Sequence, residues 1–181
     1  GRGFDVLLSP SNIVSRMHTE GLIRQLHLDI LENMSGLDPL LLNKPYDPEN
    51  RFSIPYLWGT TGMVLDTEAF KDEKIDSWKA LWRNTAQGKV MLIDDMRDIF
   101  GMALKINGYS INSSDSGAIR QAYEDLKELM PGVKVITREP QEALISGDVA
   151  IGQAGSTDVA VAQEKRPSLQ YIYPKEGSSF W

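Results

Sequence analysis

Three carboxylates crowd one short stretch of the sequence, LIDDMRD: Asp94, Asp95 and Asp98. Residues three apart at a helix start share one side of its first turn. Ionised carboxylates accept hydrogen bonds and do not donate them, so Asp95 and Asp98 suit an ammonium or guanidinium group. The same placement also suits a plainer role. Asp94 or Asp95 can cap the helix while the other carboxylates complement its dipole. Both readings stay open on the residues alone. Arg97, between them, reads as an exposed partner of its neighbours.

A second set is aromatic: Tyr56, Trp58, Tyr173, Phe180 and Trp181. Aromatic walls suit a ligand with methylene stems and cationic ends, through apolar contact and cation–π attraction. Core packing uses the same residue types. Trp78 and Trp82, four apart in SWKALWR, read as packing residues. His18 and His27 are the only histidines, with no carboxylate or cysteine at metal-ligand spacing. There is no cysteine at all, which removes disulfides, thiolate metal sites and thiol nucleophiles. No GxxxxGK[ST], GxGxxG or GxSxG appears. The sequence shows no catalytic set, no metal set and no cofactor motif. It reads as a binding module, not an enzyme.

The elements that must position these residues follow from periodicity. Phe4–Leu8 (FDVLL) reads as a buried strand, and Ser11 opens a helix carrying Ile13, Val14, Met17 and Leu22. Residues 37–50 read as an extended linker, and residues 53–66 as β-rich, with Gly59 and Gly62 marking a bend or a close backbone approach. A helix over 77–83 precedes a buried strand, Lys89–Ile93. Helices follow over about 96–107 and 116–130, the second with Ile119, Tyr123, Leu126 and Met130 on one face. Strands at 133–136, 149–153 and 169–173 alternate with helices at 140–146 and 156–163. Such alternation argues an α/β lobe with a mainly parallel sheet. Ligands of these sheets bind beyond the carboxyl ends of the strands. Three polar clusters are expected there: Ser11 and Asn12, Asp94 and Asp95, and Gln153 to Ser156.

The bulk composition is that of an ordinary folded chain of 181 residues, 41% hydrophobic and 24% charged. That is long enough for one domain or two small lobes. The net charge of −6 disfavours a nucleic-acid partner, which requires clustered Lys and Arg, and is compatible with a cationic ligand. No run reaches the roughly 18 apolar residues of a membrane span. No signal peptide is visible. The chain opens on Gly-Arg-Gly-Phe and stops at Trp181, and the expectation is an excised piece of a longer protein.

Three stretches resemble the periplasmic spermidine/putrescine-binding proteins of ABC importers. Residues 37–66 (LDPLLLNKPYDPENRFSIPYLWGTTGMVLD) are similar to the family's nKP-[YF]-DP-x-N-x-x-SIPY-x-WG-T segment. Residues 77–115 are similar to its SW-x-x-LW … L-x-DD-x-R-[ED]-x-F-x-MAL-x-x-x-GYS-x-N run. Residues 173–181 (YPKEGSSFW) are similar to its PKEG-x-x-FW end. The three lie in order and cover most of the chain.

The resemblance implies a fold of the type II periplasmic-binding-protein kind: an α/β lobe with a mixed, mainly parallel sheet flanked by helices. Residues 1–55 would form part of a first lobe and the linker, and residues 56–181 a second lobe with the interlobe crossing strands. It implies a polyamine such as spermidine or putrescine clamped between lobes. It also implies a membrane permease as partner and a periplasmic or extracellular location, compatible with a lipid anchor. A different cationic or polar solute, or a sensory module on the same fold, is the alternative. By this resemblance Asp95 and Asp98 fall on amine-binding carboxylates, Asp98 standing for a Glu one methylene longer. Trp181 falls on an aromatic that flanks the methylene chain. Ser11 and Asn12 fall in a first-lobe contact loop, with Asn12 where several members have an aromatic. Gln153 replaces a Trp that packs on the ligand. The FDVLL strand, without its sheet neighbours, is open to strand exchange between copies.

Overall fold

The computed structural model describes residues 3–71, 73–83 and 88–181. The chain divides into two units, residues 1–58 with Trp181, and residues 59–180.

In the first unit one helix, α1 (Ser11–Thr19), is followed by short 3-10 turns at Leu28–Ile30, Met34–Gly36, Pro39–Leu41 and Pro48–Asn50. Its organising centre is polar. Asp47 is 2% exposed. Its carboxylate accepts backbone N–H bonds from Arg51 (3.0 Å), Phe52 (3.1 Å) and Ser53 (2.7 Å), and the Ser53 hydroxyl at 2.6 Å. Asn50 takes a left-handed backbone, φ 53°, and accepts the N–H of Asn43 at 2.8 Å. The NKPYDPEN stretch is therefore a hydrogen-bonded knot and not an extended linker. Two prolines and Asp47 force the chain to turn on itself there.

The expected strand at Phe4–Leu8 does not form. Phe4 and Val6 are 88% and 89% exposed, and the segment is irregular. An isolated apolar run has nothing to fill its backbone ladder, so β propensity alone does not make it a strand. Residues 53–59 are also irregular, and the β-rich stretch contracts to β1 (Thr60–Asp66).

The second unit is an α/β layer structure. After β1 come α2 (Ala80–Arg83), β2 (Val90–Ile93), α3 (Met96–Ile106), α4 (Ser116–Leu129) and β3 (Val133–Thr137). Then follow α5 (Pro140–Ser146), β4 (Ile151–Gly155), α6 (Ser156–Gln163), β5 (Leu169–Ile172) and β6 (Ser179–Phe180). The sheet order is β3-β2-β4-β1-β5, with β6 also on β1. β2 pairs in parallel with β3 and β4, while β1 runs antiparallel to β4, β5 and β6. The sheet is mixed and mainly parallel, with β1 alone against the rest.

Both faces are covered. Met63, Leu65, Val90, Leu92 and Ile151 face α3, α4, Trp78 and Leu81. Val64, Met91, Val149 and Ala154 pack with residues of α5 and α6. This is why the strands read as continuous apolar runs and not as alternating ones. Gly152 is required where β4 crosses Met91: a Cβ there would stand 2.2 Å from the Met91 carbonyl oxygen.

Helix α4 turns a different face inward from the one expected. Ala118, Ala122, Leu126 and Leu129 are buried, whereas Ile119, Tyr123 and Met130 are 39%, 52% and 42% exposed. Close packing on α3 selects the small alanines, and the larger side chains flank the contact. The SWKALWR helix is only α2. Ser77 instead caps the turn before it, accepting the Lys79 N–H at 3.2 Å.

Arg166 ties three elements together. Its guanidinium donates to the Leu144 carbonyl at 2.7 Å and the Val149 carbonyl at 3.3 Å, and it pairs with the buried Asp66 at the end of β1. The α5 C-terminus closes on Gly147 at φ 81°, a conformation glycine adopts without strain.

Candidate functional site

Strand β2 ends at Ile93, and the chain passes through Asp94 and Asp95 into α3. The three carboxylates then diverge in role. Asp94 is exposed and pairs with Arg138 at 3.2 Å. Asp95 is the N-cap: its backbone is extended, and Oδ1 accepts the N–H of Arg97 at 2.8 Å and of Asp98 at 3.3 Å. Oδ2 accepts no hydrogen bond among the described residues. Capping and ligand binding are thus not exclusive for Asp95, because one oxygen serves each.

Asp98 is half-buried and points across the sheet edge. Oδ2 accepts the Thr61 hydroxyl of β1 at 2.9 Å, and Oδ1 accepts the Ser179 hydroxyl of β6 at 2.6 Å. No lysine or arginine pairs with it among the described residues. Its backbone carbonyl accepts the Gln153 side-chain amide at 2.9 Å. Gln153 is therefore not at a strand end as expected. It lies in the middle of β4, paired with Met63 of β1, and is 1% exposed. Its Oε1 is buried without a partner among the described residues. The expected surface contact at Gln153 is instead a buried side chain that holds the Asp98 backbone.

On the other sheet face, Tyr171 of β5 donates to the Thr60 carbonyl at 3.0 Å and shares a 2.7 Å hydrogen bond with the Thr60 hydroxyl. Gly62 makes room for it: a Cβ there would lie 2.5 Å from the phenol oxygen. Burial holds the Tyr171 phenol above its ordinary value. The Thr60 hydrogen bond opposes the shift, and the charges of Tyr173 and Asp98 add to it.

The second and third family-like motifs meet in this unit. The Glu176 carboxylate accepts the Ser77 hydroxyl and the Trp78 N–H, the latter at 3.2 Å, and the Trp78 indole donates to the Gly177 carbonyl at 2.9 Å. Much of the PKEG and SW signature is thus structural glue.

The remaining expected site residues lie in the first unit. Ser11 and Asn12 form the first turn of α1, and Trp181 is 39% exposed. The wider aromatic set is not core: Tyr56, Trp58, Tyr173 and Phe180 are 79%, 54%, 67% and 55% exposed. His18 packs its ring on Phe52, centroids 3.8 Å apart. Among the described residues no cluster of His, Asp or Glu is arranged to hold a metal ion. No helix among them is long and apolar enough to cross a membrane.

The family model for bacterial extracellular solute-binding proteins matches residues 1–181. The chain belongs to that family. It is 37% identical over 179 residues to the spermidine/putrescine-binding periplasmic protein of Escherichia coli K12, covering 98% of this chain and 51% of that protein. It is 38% identical over 180 residues to spermidine/putrescine-binding periplasmic protein 1 of Haemophilus influenzae, covering 99% and 50%. The solved structure of the spermidine/putrescine ABC transporter substrate-binding protein PotD from Streptococcus pneumoniae superposes with a TM-score of 0.86 at 33% identity, over 100% of this chain and 56% of that one. The chain spans about half the length of the curated relatives it matches. The chain has the periplasmic-binding-protein type of α/β fold.

Thr61 and Ser179 were not singled out by the sequence. Each lies beside a motif that was, in WGTTG and EGSSFW. The signal for Thr61 is its hydroxyl at the head of the apolar run 62–65 of β1.

Proposed function

We propose that this chain is part of the solute-binding component of an ABC importer, located in the periplasm or outside the cell. It captures a polyamine-like cation, such as spermidine or putrescine, between two α/β lobes and passes it unchanged to a membrane permease. The observation that carries this reading is Asp98: a half-buried carboxylate by the carboxyl end of β2 whose partners among the described residues are two neutral hydroxyls and no cation. A ligand ammonium supplies the missing charge through charge-assisted hydrogen bonds in a cleft that closure dries. Oδ2 of Asp95 adds a second acceptor on the same helix turn. By the family resemblance, Ser11, Asn12 and Trp181 are also proposed as ligand contacts. Recognition of this kind needs no chemistry on the ligand.

A second reading is a different cationic or polar solute. It is favoured by Asp98, one methylene shorter than the Glu that the family resemblance implies at that position.

Calorimetric titration with putrescine and spermidine tests both readings. Asp98→Asn should cost about 2–5 kcal/mol of binding, as for one partner of a buried charge pair. Asp95→Asn keeps the helix cap, since Asn caps as well as Asp, so its loss of affinity reports charge alone. Unchanged affinity in both variants refutes the acidic pair as the site. Binding of other cations in place of the two polyamines selects the second reading.

A further inference from the structure

Thr61, Gln153 and Ser179 come from three strands, β1, β4 and β6, and converge on one residue of α3. Two hydroxyls hold the two oxygens of the Asp98 carboxylate, and the Gln153 amide holds the Asp98 carbonyl. A carboxylate offers about four acceptor directions, so the hydroxyls leave roughly two for a ligand. With both oxygens held, the remaining directions are fixed before any ligand arrives. The side chain then has no rotamer freedom left to lose on binding.

Gln153 gives the second indication. A glutamine 1% exposed in mid-strand, with Oε1 unsatisfied, is a poor choice for stability, because a buried orphan acceptor is destabilising. An apolar residue of that shape would pack better. What the glutamine adds is its N–H bond to the first turn of α3.

The two hydroxyls mark strands of particular position. β1 begins at Thr60, just after the chain enters the second unit, and β6 ends at Phe180, just before it leaves. The carboxylate fastens both passages of the chain to α3.

We infer that Thr61, Gln153 and Ser179 are positioning residues that fix the Asp98 carboxylate for a ligand ammonium group. This rests on the proposed reading of Asp98 as a cation-binding carboxylate. Gln153 acts from behind the site and does not touch the ligand.

The test is calorimetric titration of the full chain and of T61V, T61S, S179A and Q153M with putrescine and spermidine, with a thermal melt of each. T61V and S179A should bind about tenfold more weakly, as expected for loss of one hydrogen bond to a charged group. T61S restores the hydroxyl and should bind like the parent. Q153M should bind more weakly while melting no lower than the parent, a combination that a purely structural role does not give. Should T61V fail to fold, S179A and Q153M decide the matter alone. Parent-like or tighter binding by S179A and Q153M, with D98N weakened, overturns the positioning role and leaves the reading of Asp98 intact. Absence of binding by the parent chain to either polyamine removes that reading and this inference with it.

Discussion

Asp95 and Asp98 stand three residues apart yet use their oxygens differently. Asp95 gives one oxygen to two backbone N–H groups, whereas Asp98 gives both to side-chain hydroxyls. A neighbouring residue offers a test of local electrostatics. Burial keeps the Tyr171 phenol protonated to higher pH than its ordinary value of 10.0, with a small contribution from the Asp98 charge. The folded protein therefore holds that proton more tightly than the unfolded chain does. Its contribution to stability is complete below about pH 10 and is lost as pH rises through the higher folded value. Tyr171→Phe also removes the hydrogen bond to Thr60. At pH 9 the variant should be the less stable protein in urea. The gap should narrow as the pH passes about 10, where the parent loses its advantage. A gap that stays constant through the alkaline range contradicts this account of Tyr171.

At the scale of elements, close backbone approach sets the tolerance of each position. Gly152→Ala puts a methyl group 2.2 Å from a backbone oxygen that cannot rotate away. It should cost about 3 kcal/mol, near the upper end for overpacking a core. Gly101→Ala in α3 is the contrast: its nearest neighbour is an Ile111 methyl at 3.4 Å, and alanine favours helix by up to about 1 kcal/mol. Denaturant unfolding of both variants checks the pair, and equal effects would contradict the packing argument. The same scale explains what was legible in the sequence. β2, α3, α5 and α6 read out well because their signals are local: an apolar run, an Asp N-cap, Pro at a start, Gly at an end. The extent of α4 and the burial of Leu126 were legible too, but its inner face was not, because it uses alanines, which apolarity ranks below Ile119 and Tyr123. Phe4–Leu8 was misread because a strand is a pairing and not a composition. The acidic pair was visible since it sits in one heptapeptide. Its supports were not, because Thr61, Gln153 and Ser179 lie 37, 55 and 81 residues from Asp98.

For the whole molecule, the two units differ in what holds them. Among the described residues, Val14 is the one buried apolar side chain of the first unit, and the Asp47 knot does the rest. The second unit has two apolar clusters on one sheet. Free energies of local opening follow buried apolar contact, so the units should open at different cost. Hydrogen exchange read by mass spectrometry should show residues 3–58 exchanging well before β1, β2 and β4. Within the first unit, the amides of Arg51, Phe52 and Ser53 should be the slowest, since they donate to a carboxylate that is 2% exposed. Asp47→Ala leaves three backbone donors and a hydroxyl without their acceptor, at a cost of about 3 kcal/mol. That loss should abolish protection throughout residues 43–53 and leave the strands of the second unit unchanged. If the strands lose protection together with the knot, the two units unfold as one, and the knot stabilises the whole chain and not its own unit alone.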